Sequence, residues 1–117
     1  MTCLFCKMIQ GVIPVTKVYE DDLCICIRDL NPQAKTHLLV IPKEHIVSLD
    51  SAFPEKGVSL APLVGLLFER TIAIARQQGL LPGGFRTVIN TNENGGQTVF
   101  HLHLHILGGE HLHGTFA

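Results

Sequence analysis

Three histidines, His101, His103 and His105, stand at alternate positions near the end of the chain, with Leu102, Leu104 and Ile106 between and after them. Successive side chains on a β-strand point to opposite faces. This spacing therefore predicts three imidazoles on one face and the three apolar residues on the other. Neighbouring rings would sit about 7 Å apart. Imidazole near neutral pH serves as nucleophile, hydrogen-bond partner or metal ligand, so a metal site rivals nucleophilic catalysis. The run contains no Asp, whereas a strand-borne zinc enzyme needs a further ligand and an activated water. Just upstream, Asn92-Glu93-Asn94-Gly95-Gly96-Gln97-Thr98 supplies paired glycines, whose N–H groups can cradle an anion, and side-chain donors on Gln97 and Thr98. Asn-Gly-Gly alone would be explained by a hairpin turn. Joined to the histidines, the segment fits a phosphate ester or amide.

Several elements must position these groups. A short helix is expected over 4–10, closed by Gly11 and followed by Pro14. Residues 16–20 and 23–28 read as a hairpin about Asp21-Asp22. After the break at Asn31-Pro32, residues 37–41 form a continuous apolar run ended by Pro42, the pattern of a buried strand. Residues 48–57 are loop-like. Leu60, Leu63, Val64, Leu67, Phe68, Thr71, Ile74 and Ala75 then recur at helical spacing, with Ser59 as N-cap and Gly79 and Pro82 as stops. Residues 85–90 and 99–107 complete five strands. Neighbouring strand pairs with one long helix inserted predict an α+β fold on a mostly antiparallel sheet.

Composition bounds the function. A chain of 117 residues predicts one domain, and 46% hydrophobic against 16% charged residues excludes a disordered chain. Nine Lys and Arg against ten Asp and Glu provide no basic excess, which argues against a nucleic-acid polymer as partner. No 18-residue apolar run or secretory start is visible, so no membrane segment is expected and the cytoplasm is the predicted compartment. There, Cys3, Cys6, Cys24 and Cys26 should be thiols or metal ligands rather than disulfides. Cys24 and Cys26 share a strand face and read as small core residues.

The stretch NGGQTVFHLHLHILGG resembles the signature of the histidine triad (HIT) superfamily, and is most similar to its Hint branch of purine nucleoside phosphoramidate hydrolases. Residues 27–46 (IRDLNPQAKTHLLVIPKEHI) and 3–14 (CLFCKMIQGVIP) agree with it, while 48–82 is generic. The resemblance implies a single HIT domain over 1–117, with a mostly antiparallel five-stranded sheet, one long and one short helix, and pairing into a homodimer. It implies a purine nucleotide substrate such as an AMP conjugate, cleaved with no cofactor required for catalysis. The alternatives are a nucleotide-binding regulatory module, or a dinucleotide hydrolase or nucleotidyl transferase of the same superfamily.

Carried onto this chain, the resemblance makes His103 the nucleophile and His105 a phosphate ligand, with His101 and His37 in support. Thr98, where the branch commonly has serine, would orient the leaving group, and Gly96 and Gln97 would contact phosphate through backbone and side chain. Asp29 would accept from the ribose hydroxyls, although a turn-capping Asp before Asn31-Pro32 reads equally well. Leu4, Phe5, Met8, Ile27 and Leu30 would wall the base, some of them as plain core, and Asn90 would hold the phosphate or sugar side. Cys3-x-x-Cys6 is half of a zinc site. Some family members close such a site with two histidines, here matching His45 and His101, as a structural zinc. Two partly buried thiols are the plainer alternative. The branch often ends in Trp-Pro-Pro-Gly, where this chain has His111-Leu112-His113-Gly114-Thr115-Phe116-Ala117. Phe116 would replace the aromatic, and His111 and His113 would be solvated tail.

Overall fold

The computed structural model describes residues 3–114. Its strands are β1 Lys17–Glu20, β2 Cys24–Arg28, β3 Thr36–Pro42, β4 Arg86–Val88 and β5 Leu104–Gly108. They form one sheet in the order β1-β2-β3-β5-β4, with every neighbouring pair antiparallel. The helices are α1, Leu4–Ile9, and α2, Ala61–Gln77. The α+β architecture is the one predicted.

Alternation on the central strands divides the core between two faces. On one, Cys24, Cys26, Leu38, Val40, Leu104 and Ile106 pack with Leu67, Ile74 and Ala75 of α2. On the other, Ile25, Ile27, Leu39 and Ile41 pack with Phe5 and Met8 of α1. A sheet covered on both faces explains why β2 and β3 read as unbroken apolar runs. Each fully buried Ile contributes about 1.5–3 kcal/mol. At the start of α2 the Ser59 hydroxyl accepts from the Ala61 N–H at 3.1 Å. Phe68 departs from the predicted buried stripe and is 41% exposed, on the same side of α2 as Ile72 one turn on.

The two last strands are shorter than predicted. Residues 85–90 yield only Arg86–Val88, and 99–107 yield only Leu104–Gly108. Val40 of β3 is the last residue to pair with β5, opposite Leu104. Two positions further lies Pro42, which has no N–H with which to extend the ladder. The Leu102 N–H instead donates to the Ile46 carbonyl at 2.6 Å. His101 and His103 therefore precede the strand, and only His105 lies on it. Inside–outside alternation survives nonetheless: Leu102, Leu104 and Ile106 all belong to the α2-side core.

Candidate active site and metal cluster

The histidines fall into distinct hydrogen-bonded settings whose partners fix their tautomers. The Gln33 N–H donates to His37 Nδ1 at 3.0 Å, which leaves the His37 proton on Nε2. That Nε2 lies 2.9 Å from His105 Nδ1 and 3.4 Å from Asp29 Oδ2. His105 thus accepts on Nδ1 and carries its own proton on Nε2. His103 donates from Nδ1 to the His101 carbonyl at 2.7 Å, so its Nε2 keeps a lone pair. Burial, reinforced by His103 and His37 and opposed by Asp29, holds the His105 imidazole down at about 4. It is neutral at pH 7.

These groups line a cavity of about 310 Å³. Its walls bring together Leu4, Phe5, Met8, Ile27, Asp29, Leu30, Asn90, Gly96, Gln97, Thr98, His103 and His105, all twelve residues proposed from sequence for a nucleotide. Arg28, Leu39 and Val99 line it too and were not anticipated. Leu39 was legible in principle, because β3–β5 register sets it opposite His105. The Phe5 ring meets the His103 ring edge-on, with centroids 5.1 Å apart.

Three expected contributions differ in detail. Leu30 touches the cavity but is 95% exposed, so it is a rim residue and not a wall. Gln97 is buried: its amide group donates to the Val47 and Val99 carbonyls, at 2.8 and 3.1 Å, and its oxygen accepts from the Asn92 N–H. With both amide protons committed, its side chain pins the loop and offers a ligand no donor, leaving only its backbone to meet phosphate. Asn90 Nδ2 likewise donates to the Gly95 carbonyl at 2.7 Å, bracing the turn into Gly96, which adopts φ +84°. Asp29 takes the turn-capping role and lines the cavity as well. Oδ1 accepts from the Asn31 N–H at 2.8 Å, a turn bond, while Oδ2 faces His37.

His101 turns away from the cavity. Its buried ring donates from Nε2 to the Pro42 carbonyl at 2.8 Å, so Nδ1 presents a lone pair. That atom lies 3.3 Å from Cys3 Sγ, 3.6 Å from Cys6 Sγ and 3.1 Å from His45 Nδ1, and Cys6 Sγ lies 3.3 Å from His45 Nδ1. A tetrahedron with zinc–nitrogen bonds of about 2.0 Å and zinc–sulfur bonds of about 2.3 Å has edges of about 3.3–3.8 Å. Donor types and separations therefore fit a closed Cys₂His₂ zinc site, and the Pro42 carbonyl supplies the orienting bond that metal-binding histidines require. The three histidines consequently do not share one metal: His101 faces the cysteines and His105 faces His37.

Elsewhere, burial pushes the Cys24 and Cys26 thiols up to about 12, so neither is a nucleophile. A larger hollow of about 590 Å³ is lined by Gly83, Gly84, Arg86, Glu110 and His111 among others, none of them expected from sequence to do chemistry. His111 and His113 are exposed. Phe116 lies outside the described residues.

Comparison with known proteins agrees with this geometry. The HIT domain family model matches residues 10–112. An uncharacterised HIT-like protein of Synechococcus elongatus is 51% identical, over 93% of this chain and 91% of its own length. Purine nucleoside phosphoramidase of Escherichia coli K12 is 39% identical, over 93% of this chain and 88% of its own. The crystal structure of a HIT family hydrolase from Legionella pneumophila superposes with a TM-score of 0.86 at 44% identity, covering 94% of this chain and 95% of that one. Signature, sheet topology and relatives converge, and the chain belongs to the HIT family.

Proposed function

We propose that the protein hydrolyses nucleoside 5′-phosphoramidates and related nucleotide conjugates, such as those of AMP, to the nucleoside monophosphate through a nucleotidyl-His103 intermediate. The observation that carries this reading is the bond from His103 Nδ1 to the His101 carbonyl. It leaves Nε2 as an unprotonated nucleophile in a cavity of nucleotide size. Attack by Nε2 on the α-phosphorus forms a P–N bond as the bond to the leaving amine breaks. Water then cleaves the phosphorus–imidazole bond and frees the ring. The His101 carbonyl dipole faces the positive charge that the ring acquires while nucleotidylated. His105, its proton held on Nε2 by His37, donates to a phosphate oxygen where charge develops. The backbone about Gly96 cradles the phosphate, Thr98 orients the leaving group, and Asp29 keeps acceptor capacity for the ribose. The E. coli relative named purine nucleoside phosphoramidase supports the substrate class.

Cys3, Cys6, His45 and His101 would hold a structural zinc, whose chemistry is cross-linking and whose closed shell leaves no position for substrate. As the resemblance implies, the working unit is proposed to be a homodimer.

The direct test is release of AMP from adenosine 5′-phosphoramidate. Wild type should turn over, and His103→Asn should lose about 10³-fold or more in kcat. Equal rates would remove His103 as nucleophile, and no turnover by wild type would favour a nucleotide-binding module. Wild type denatured in alkali, where a phosphorus–imidazole bond persists, should carry a labelled nucleotide on His103.

A further inference from the structure

α1 forms one wall of the nucleotide cavity through Leu4, Phe5 and Met8. It is only six residues long, with Cys3 at its N-cap, where the sulfur accepts from the Cys6 N–H at 3.4 Å. A helix this short has little stability of its own. The backbone hydrogen bonds outside its own turns stay within residues 3–13. Among the described residues, the polar contacts that tie it to the remainder of the chain are all sulfur–imidazole: Cys3 to His101, and Cys6 to His45 and His101.

The phosphate end is held otherwise. His101 is anchored through Pro42, Leu102 through Ile46 and Gln97 through Val47 and Val99, none of which involves α1. The Phe5 ring touches both sides, edge-on to His101 at 5.8 Å and to His103 at 5.1 Å.

We propose that zinc in the Cys3–Cys6–His45–His101 cluster sets the affinity of the cavity for the base end of its ligand, with Cys3 and Cys6 as positioning residues that act through α1. Zinc bonds replace the sulfur–imidazole contacts and clamp the helix as a wall. Without them the wall rests on packing, that of the buried Phe5, Cys6 and Met8 and the half-buried Ile9. The coupling is reciprocal, so a nucleotide tightens zinc binding by the factor by which zinc tightens the nucleotide. The proposal rests on the nucleotide reading above and adds its regulation by metal.

Calorimetry with two probes tests it. AMP engages the α1 wall, whereas ribose 5-phosphate lacks the base. Chelation that strips zinc, verified by elemental analysis, should weaken AMP about tenfold or more. Ribose 5-phosphate should change less than about twofold, and added zinc should restore AMP binding. For adenosine 5′-phosphoramidate, KM should rise by a larger factor than kcat falls, because His101, whose carbonyl holds His103, keeps its bond to Pro42 when zinc leaves. Cys3→Ser keeps a side chain able to cap the helix but loses the thiolate, and should reproduce the zinc-free affinities. AMP affinity unaffected by zinc removal would overturn the proposal. So would a protein that takes up no zinc, or parallel loss of both ligands, which signals general unfolding. Absence of AMP binding by the zinc-loaded protein would instead overturn the nucleotide reading itself.

Discussion

At the scale of single residues, the site depends on where protons sit. His105 can donate to a phosphate oxygen only from Nε2, and His37 is what keeps its proton there. Replacing His105 by Ala should lower kcat on the order of 10²–10³-fold, as for loss of one donor to a developing oxyanion, with a smaller effect on KM. The depressed value of His105 also makes a stability prediction. Its folded value, about 4, lies below the roughly 6.5 of an unfolded chain. As pH falls the unfolded chain binds the proton first, so stability is complete above about pH 6.5 and declines toward pH 4. Urea midpoints at pH 7 and 4.5 should differ more in wild type than in His105→Gln. Residue types and spacing made the triad legible in the sequence. The tautomers were not, because spacing names no hydrogen-bond partner: His37 and His103 are held by main-chain groups nearby, His105 by the His37 side chain, and His101 by the Pro42 carbonyl 59 positions away.

Among the elements, the β1–β2 turn shows how a site-bearing sheet is fastened to α2. Asp21 accepts from the Tyr19 hydroxyl and from Arg70 Nε, both at 2.6 Å, and from the N–H groups of Leu23 and Cys24. Burial alone would raise its carboxyl, but these four donors outweigh it and hold the group well below the usual carboxylate range. The stabilisation is present above the unfolded value of about 3.9 and fades as pH drops below it. Arg70→Ala should lower the urea midpoint at pH 7, and by less at pH 2. The hairpin was legible from Asp21-Asp22 between apolar runs; its tie to α2 was not, since Arg70 reads as one more exposed cation on a helix. Strand ends failed for a related reason. Periodicity ran on through His101, but whether a ladder continues depends on the neighbouring strand, and there Pro42 stops it.

For the whole molecule, the two faces of the sheet have separate work. One packs on α2, and the other carries α1, the imidazoles and the cavity. α2 leaves Leu66, Phe68 and Ile72 exposed at 36–41%. If Phe68 and Ile72 lie in the interface of the proposed homodimer, light scattering should give twice the chain mass, and Phe68→Glu should halve it without unfolding the protein. Overall architecture was legible because burial on both faces writes itself into hydropathy, and the lining of the cavity was legible through the signature. What each cavity residue does was less so: Gln97 reads as a donor and proves to be a brace. The anchors of the imidazoles have one more consequence. The Gln33 N–H, the Pro42 carbonyl and the His101 carbonyl belong to the main chain, so no exchange of one side chain for another removes them, save a proline at 33. Substitutions can accumulate around the site during descent while its proton pattern endures. Insertion or deletion is the vulnerable direction, since a single residue gained between His101 and His103 would part His103 from the carbonyl that holds its proton.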